Sequence, residues 1–303
     1  MKLSDLGEDR LVARLTDGLP RNARLLVGPG DDCAVVGRRS DSVWTLLKTD
    51  CVIEGIHFER APGVAECRRI GWKAVARAVS DIAAMGGEPE QALITVAFPP
   101  TLDVSRVDAL YAGMNRCARE FGMAIAGGET ARSPGTEAAP GPIFISVALT
   151  GRVERDRCTV RSRGRPGDLL FVTGQLGGSL AGKHLDFMPR LAEARWLTEH
   201  FRLHAMMDLS DGLGADLPRL AQASGCGFEL GEIPCSPGVT REAALSDGED
   251  FELLFAISPR HAARLEREWP FSNLRLTRIG RLTLLGKPGK ASVPVIHGFD
   301  HFA

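Results

Sequence analysis

Four apolar runs in this chain are each followed, within a few residues, by a group of oxygen-bearing side chains. Leu25 to Val27 leads into Gly28-Pro29-Gly30-Asp31-Asp32, Val43 to Leu47 into Lys48-Thr49-Asp50, Ala124 to Ala126 into Gly127-Gly128-Glu129-Thr130, and Ala205 to Met207 into Asp208-Leu209-Ser210-Asp211-Gly212. Such runs read as strands bounded by turn residues. A fold that set their ends on one sheet edge would crowd carboxylates, and like charges within about 4 to 6 Å disfavour joint ionisation unless a cation compensates. Convergence therefore implies metal. Oxygen donors with Thr and Ser hydroxyls beside them suit Mg²⁺ or another hard ion, whereas no His/Cys spacing here suits zinc. Taken singly, each acid reads as readily as a helix cap or turn former.

The runs belong to an α/β or α+β rhythm. Strand-like Val43 to Leu47 is followed by a helix near Glu66 to Ala84, a strand at Gln91 to Phe98, a helix near Asp103 to Phe121 and a strand at Ile143 to Thr150. In the second helix Val107, Leu110, Tyr111, Met114, Ala118 and Phe121 form one apolar stripe fit to pack on a sheet. After Gly151 a basic, proline-punctuated stretch precedes new strands at Leu169 to Thr173, Ala205 to Leu209, Phe251 to Ile257 and Leu274 to Gly280, with helices around Arg190 to Phe201 and after Gly212. A length of 303 residues suits two domains of roughly 150. The expected division is 1–150 and 151–303.

Composition removes several function classes. Thirty-seven Lys plus Arg against 38 Asp plus Glu give a formal net charge of −1, so nothing in the bulk electrostatics attracts nucleic acid or an anionic membrane. The longest uncharged runs, Ala138 to Gly151 and Leu169 to Gly182, are broken by Gly or Pro and fall short of the roughly 20 residues of a membrane span. MKLSDLGEDR carries acids where a signal peptide is basic and then apolar, so the cytoplasm is the expected address. Seven cysteines with no C-x-x-C pair fit reduced, buried small hydrophobes.

Two motifs need separate weighing. Asp81 sits late in the helix that ends Val79-Ser80-Asp81-Ile82-Ala83-Ala84-Met85, where an acid opposes the helix dipole by a few tenths to about 1 kcal/mol. That cost hints at function. Gly177-Gly178-Ser179-Leu180-Ala181-Gly182-Lys183-His184 matches the phosphate-loop pattern G-x-x-x-x-G-K but has His184 where a hydroxyl must meet Mg²⁺. It reads as a glycine-rich turn into a helix. Glycines beside acids let backbone approach an anion closely, and a Mg²⁺-bridged nucleotide is the natural cargo.

With these residues in place, the chain resembles the thiamine-monophosphate kinase family, in the superfamily of aminoimidazole ribonucleotide synthetase and selenophosphate synthetase. The likeness rests on Gly28-Pro29-Gly30-Asp31-Asp32-Cys33-Ala34, Thr49-Asp50 with Gly55-Ile56-His57-Phe58, Ser80 to Gly86, Gly127 to Thr130, Arg161-Ser162 with Pro166-Gly167-Asp168, Asp208 to Leu213, Asp247 to Leu253, and Gly298-Phe299-Asp300-His301-Phe302. It implies a two-domain α/β fold like that of aminoimidazole ribonucleotide synthetase, the N-terminal mixed-sheet domain pairing in a homodimer and the active site between domains. It also implies direct in-line transfer of the γ-phosphoryl group of ATP to thiamine monophosphate, assisted by several Mg²⁺ ions. By the same resemblance Asp32, Thr49, Asp50, Asp81, Glu129, Asp208 and Asp211 hold metal, with Asp50, Asp81, Asp208 and Asp211 catalytic. Gly128, Glu129, Arg161 and Ser210 would serve the nucleotide, and His57, Glu249 and Phe299 the thiamine substrate. Glu129 stands where the family usually has Asp, Phe299 where Tyr is commoner, and Ser246-Asp247-Gly248 where it reads Ser-Gly-Gly. The rival readings are another ATP-using enzyme of the superfamily and a nucleotide-binding regulator without turnover.

Overall fold

The structure, a computed structural model, describes residues 2–136 and 138–285. After a short helix α1 (Glu8–Thr16), a first sheet is built from β1 (Leu25–Val27), β2 (Ala34–Val36), β3 (Val43–Ile53), β4 (Glu88–Phe98), β5 (Ala124–Arg132) and β6 (Phe144–Glu154). Its strand order is β1-β2-β3-β6-β4-β5, and only the β4–β5 pairing is parallel. Along β3, β4 and β6 buried and exposed residues alternate, as they must when one face is covered and the other is not.

The cover is a pair of helices, α2 (Val64–Ala84) and α3 (Val104–Glu120). Asp103 caps α3 through the Ser105 amide, which explains where that helix starts. The two helices touch backbone to backbone: a Cβ at Gly71 would lie 1.9 Å from the Leu110 carbonyl oxygen, and one at Gly113 1.9 Å from that of Arg68. Any larger residue at either position forces the helices apart. Helix α2 is buried on nearly every side because it also packs against the strand Ala205–Asp208 and the helix Leu191–His200.

The second sheet has the order β8-β10-β7-β11-β9, all antiparallel, from β7 (Leu169–Thr173), β8 (Ala205–Asp208), β9 (Cys226–Leu230), β10 (Leu253–Ile257) and β11 (Leu276–Leu284). Helices α4 (Leu191–His200), α5 (Leu213–Ala223), α6 (Arg241–Ser246) and α7 (Pro259–Glu268) flank it. Strands β7, β8 and β10 are buried throughout, matching their unbroken apolar runs. Strand β6 runs on past residue 150 to Glu154. All seven cysteines are unpaired, five of them buried. Among the described residues no helix is long and apolar enough to cross a membrane.

Candidate active site

Where the two sheets meet, Asp32, Asp81 and Asp208 each offer a carboxylate oxygen, all within 4.8 Å of one another and all buried. Asp32 stands in the turn before β2, Asp81 in the last turn of α2 and Asp208 at the end of β8. If all three were ionised, each pair would repel by roughly 3 to 4 kcal/mol at an effective dielectric near 20. Their surroundings carry that strain. Burial and the neighbouring Asp32 charge raise Asp208 to about 6, even though Ser80 Oγ donates to it at 2.6 Å. Burial, with Asp208, Asp50 and Asp32 nearby, pushes Asp81 well above the carboxylate range, although Lys48 Nζ lies 2.7 Å away. Burial and Asp32 raise Asp31 to about 7.

Arg161, in a 3-10 turn of the interdomain stretch, donates to Asp32 Oδ1, while the other oxygen, Asp32 Oδ2, is buried with no partner among the described residues. An orphaned buried carboxylate oxygen inside a set of oxygen donors is what a hard cation would satisfy. The donor set therefore fits Mg²⁺.

Asp50 lies within β3 rather than beyond its end, and on its covered face. Burial would raise its pKa, but Arg77 and Lys48 outweigh burial and hold it below the usual range. Thr49, the next residue back, projects from the exposed face, so its side chain is not gathered with the others. Glu129 and Gly128 are not gathered either. They belong to the edge strand β5, which continues to Arg132 instead of ending at Ala126, and both are exposed. A Cβ at Gly128 would meet the Ile94 carbonyl at 1.8 Å, so close pairing with β4 is reason enough for that glycine. Asp211 binds Arg219, which also reaches Asp216 at 3.0 Å. Ser210 follows β8, its carbonyl accepting from the Glu249 amide at 2.7 Å. Phe299 lies outside the described residues.

Beside the acids opens a cavity of about 510 Å³, lined by His57, Arg69, Arg77, His184, Asp211 and Glu249 among others. His57 Nδ1 accepts from the Ile53 amide at 3.1 Å. Glu249 sits at φ +54°, a left-handed conformation that non-glycine residues rarely adopt. Despite burial, His184, Lys73 and Arg77 hold its carboxylate down to about 2. Arg77 connects the two regions, with Nε 3.1 Å from Asp50 and Nη1 3.6 Å from Glu249.

Lys73 and Arg77 are the residues the sequence reading missed. Their signal was there: Lys73, Arg77 and Asp81 recur at intervals of four on the stretch Ile70 to Ala84, which but for Ser80 is otherwise apolar, and this puts one polar stripe on a buried surface. The Walker-like segment takes a different form from the expected turn into a helix. Two short 3-10 turns, Ser179–Ala181 and Lys183–Leu185, occupy it, and the Gly177 and Gly178 amides already donate to Asp250 and Asp247. Those two N–H groups are taken by protein carboxylates, so they are not open to a phosphate.

Residues 30–153 match the family model "AIR synthase related protein, N-terminal domain". The thiamine-monophosphate kinase of Rhodopirellula baltica is 35% identical, over 93% of this chain and 90% of its own length. The solved structure of AaThiL complexed with AMPPCP and TMP superposes with a TM-score of 0.82 at 33% identity, covering 99% of both chains. That of the thiamine monophosphate kinase of Aquifex aeolicus gives a TM-score of 0.74 at 32% identity, over 94% of this chain and 97% of the other.

Proposed function

The chain belongs to the thiamine-monophosphate kinase family, and we propose that it moves the γ-phosphoryl group of ATP onto thiamine monophosphate, giving thiamine diphosphate, by direct in-line transfer. The observation that carries this reading is the buried triad Asp32, Asp81 and Asp208 beside a cavity large enough for a small two-ring molecule. The complex of AaThiL with AMPPCP and TMP supports the choice of both substrates.

Donor and acceptor are both phosphates, so their mutual repulsion is the first barrier. Magnesium held by Asp32, Asp81 and Asp208, with Asp50 and Asp211 at the margins, would neutralise phosphate charge. The chain's own groups do the rest. Lys48 and Arg161 keep Asp81 and Asp32 in place. Arg77, between Asp50 and Glu249, sets the distance from the acidic cluster to the acceptor cavity. No nucleophilic side chain is required, because the acceptor phosphate itself attacks. His57 and Glu249 would face the thiamine rings.

On the same reading a second copy covers the outer face of the first sheet, where Leu47 and Leu93 stand exposed. The test of function is formation of thiamine diphosphate from thiamine monophosphate with ATP and Mg²⁺. Nucleotide binding without any product would replace the kinase reading with that of a regulator.

A further inference from the structure

Beneath the acceptor cavity the Lys73 ammonium is wholly buried and meets three acceptors: the His57 carbonyl at 2.7 Å, His184 Nδ1 at 2.7 Å and Glu249 Oε2. An ammonium has three N–H donors, so the count closes. The three partners come from three segments: the loop after β3, the 3-10 turn Lys183–Leu185, and the loop before β10. One cation thus ties the first domain to two loops of the second. Lys73 does not line the cavity, whereas His57, His184 and Glu249 all do.

The arrangement restricts the protonation of His184. Its Nδ1 lies 2.7 Å from Lys73 Nζ and also 2.7 Å from Glu249 Oε2. One ring nitrogen cannot both accept from the ammonium and donate to the carboxylate. Burial brings the Lys73 pKa down to about 8, with Glu249 opposing it, so at neutral pH the amine is charged and has no lone pair to offer. A proton on Nδ1 could reach Glu249 Oε2, but it would set an N–H beside a charged ammonium 2.7 Å away, and Glu249 already has Lys73 and Arg77. With the lone pair on Nδ1 both Lys73 contacts are attractive, and the ammonium lies between two acceptors that would otherwise repel each other.

We propose that Lys73 is a positioning residue that fixes His184 in the Nε2–H tautomer and so makes Nε2 a hydrogen-bond donor toward the ligand in the cavity that His184 lines. The donor would serve an acceptor group on the thiamine phosphate, either a phosphate oxygen or a ring nitrogen. That last step rests on the kinase reading, whereas the tautomer does not.

The experiment is two-bond ¹H–¹⁵N correlation of the histidine rings in the full-length protein, with His184 assigned by its loss in His184→Gln, combined with steady-state kinetics. At pH 7 the wild type should show His184 as Nε2–H. Lys73→Met should move the proton to Nδ1, facing Glu249, and Lys73→Arg, which keeps a charged donor, should retain Nε2–H. In the kinetics, Lys73→Met should raise the KM for thiamine monophosphate by tenfold or more and leave that for ATP within twofold, with Lys73→Arg in between. A wild-type Nδ1–H tautomer overturns the proposal, as does a tautomer unmoved in Lys73→Met. If Lys73→Met does not fold, a Lys73→Arg protein with the Nδ1–H tautomer overturns it equally. Absence of kinase activity in the wild type would defeat the functional reading alone, since the ring spectrum stands without turnover.

Discussion

Around Asp32, Asp81 and Asp208, five carboxylates, counting Asp31 and Asp50, face three cations, Lys48, Arg77 and Arg161. Around Glu249 a single carboxylate meets Lys73, Arg77 and the His184 ring. The pKa directions follow that imbalance. Asp31, Asp81 and Asp208 are pushed up, while Asp50, held by Arg77 and Lys48, is pulled down and Glu249 is pulled down to about 2. Burial acts on both regions, so burial alone does not explain the difference. What differs is whether the protein supplies its own counter-charge. The first region leaves an acidic excess for something outside the chain to neutralise, and the second is closed by residues of α2. A site that must release and rebind its cation with each nucleotide gains from that openness, whereas a site that must keep one shape for its substrate gains from being closed.

The comparison breaks most visibly at Asp208. Asp208→Asn keeps the shape and an acceptor for Ser80 Oγ while removing one buried negative charge. Turnover should fall by several orders of magnitude, and Asp50→Asn should do the same. Yet with no metal present the Asp208→Asn protein should melt no lower than the wild type, because a repulsive charge has gone. Paired kinetics and calorimetry check this. A variant with wild-type turnover, or one that unfolds cooperatively at a much lower temperature, would mean that the acids serve the fold rather than the chemistry.

A smaller effect tests the same excess from the ligand side. Mg²⁺ with a non-hydrolysable ATP analogue at 100 times its Kd should stabilise the protein by about 2.7 kcal/mol. The analogue without Mg²⁺ should do much less, since its phosphates would meet an uncompensated acidic cluster. Thermal shift measurements with and without a chelator decide it, and equal shifts would remove the case for a metal at these acids.

Much of this was legible in the residues, for identifiable reasons. The periods of α2 and α3 and the apolar runs of β7, β8 and β10 mark elements whose burial is one-sided or complete, and those patterns survive folding unchanged. Strand β3 was read too short because Lys48 and Asp50 are polar residues on its covered face, which breaks the apolar pattern there. Strand β5 was cut at Gly127 although the chain stays extended to Arg132 at the sheet edge. Position after a strand pointed to Asp32 and Asp208, and the cost to the helix dipole pointed to Asp81. Thr49 shows the limit of that reasoning, because neighbours along a strand face opposite ways and proximity in sequence to Asp50 carries no information about side. The stripe marks Lys73 as a buried polar residue, but its partners lie 16, 111 and 176 residues away and nothing local announces them.

Asp250 offers the finest test, because it lies next to Glu249 but is held by neutral donors. Its oxygens accept from the Gly177 amide at 2.9 and 3.0 Å and from Ser179 Oγ at 2.6 Å. If counter-charge is what separates the two regions, Asp250 should behave like the acidic cluster and not like its neighbour, and burial does raise it to about 6 despite those bonds. Between about pH 4 and 6 the folded protein then binds more protons here than the unfolded chain, whose carboxyl titrates near 3.9. Stability should therefore fall as pH rises through that window, and the full cost is present above it. The displacement bounds that cost at about 3 kcal/mol. Asp250→Asn can still accept from Gly177 and can donate to Ser179 Oγ, so it should be as stable as the wild type at pH 4 and more stable at pH 7. Denaturant melts at the two pH values measure the difference, and a variant that loses the same stability at both would place Asp250 with Glu249, as a group whose charge the loop requires.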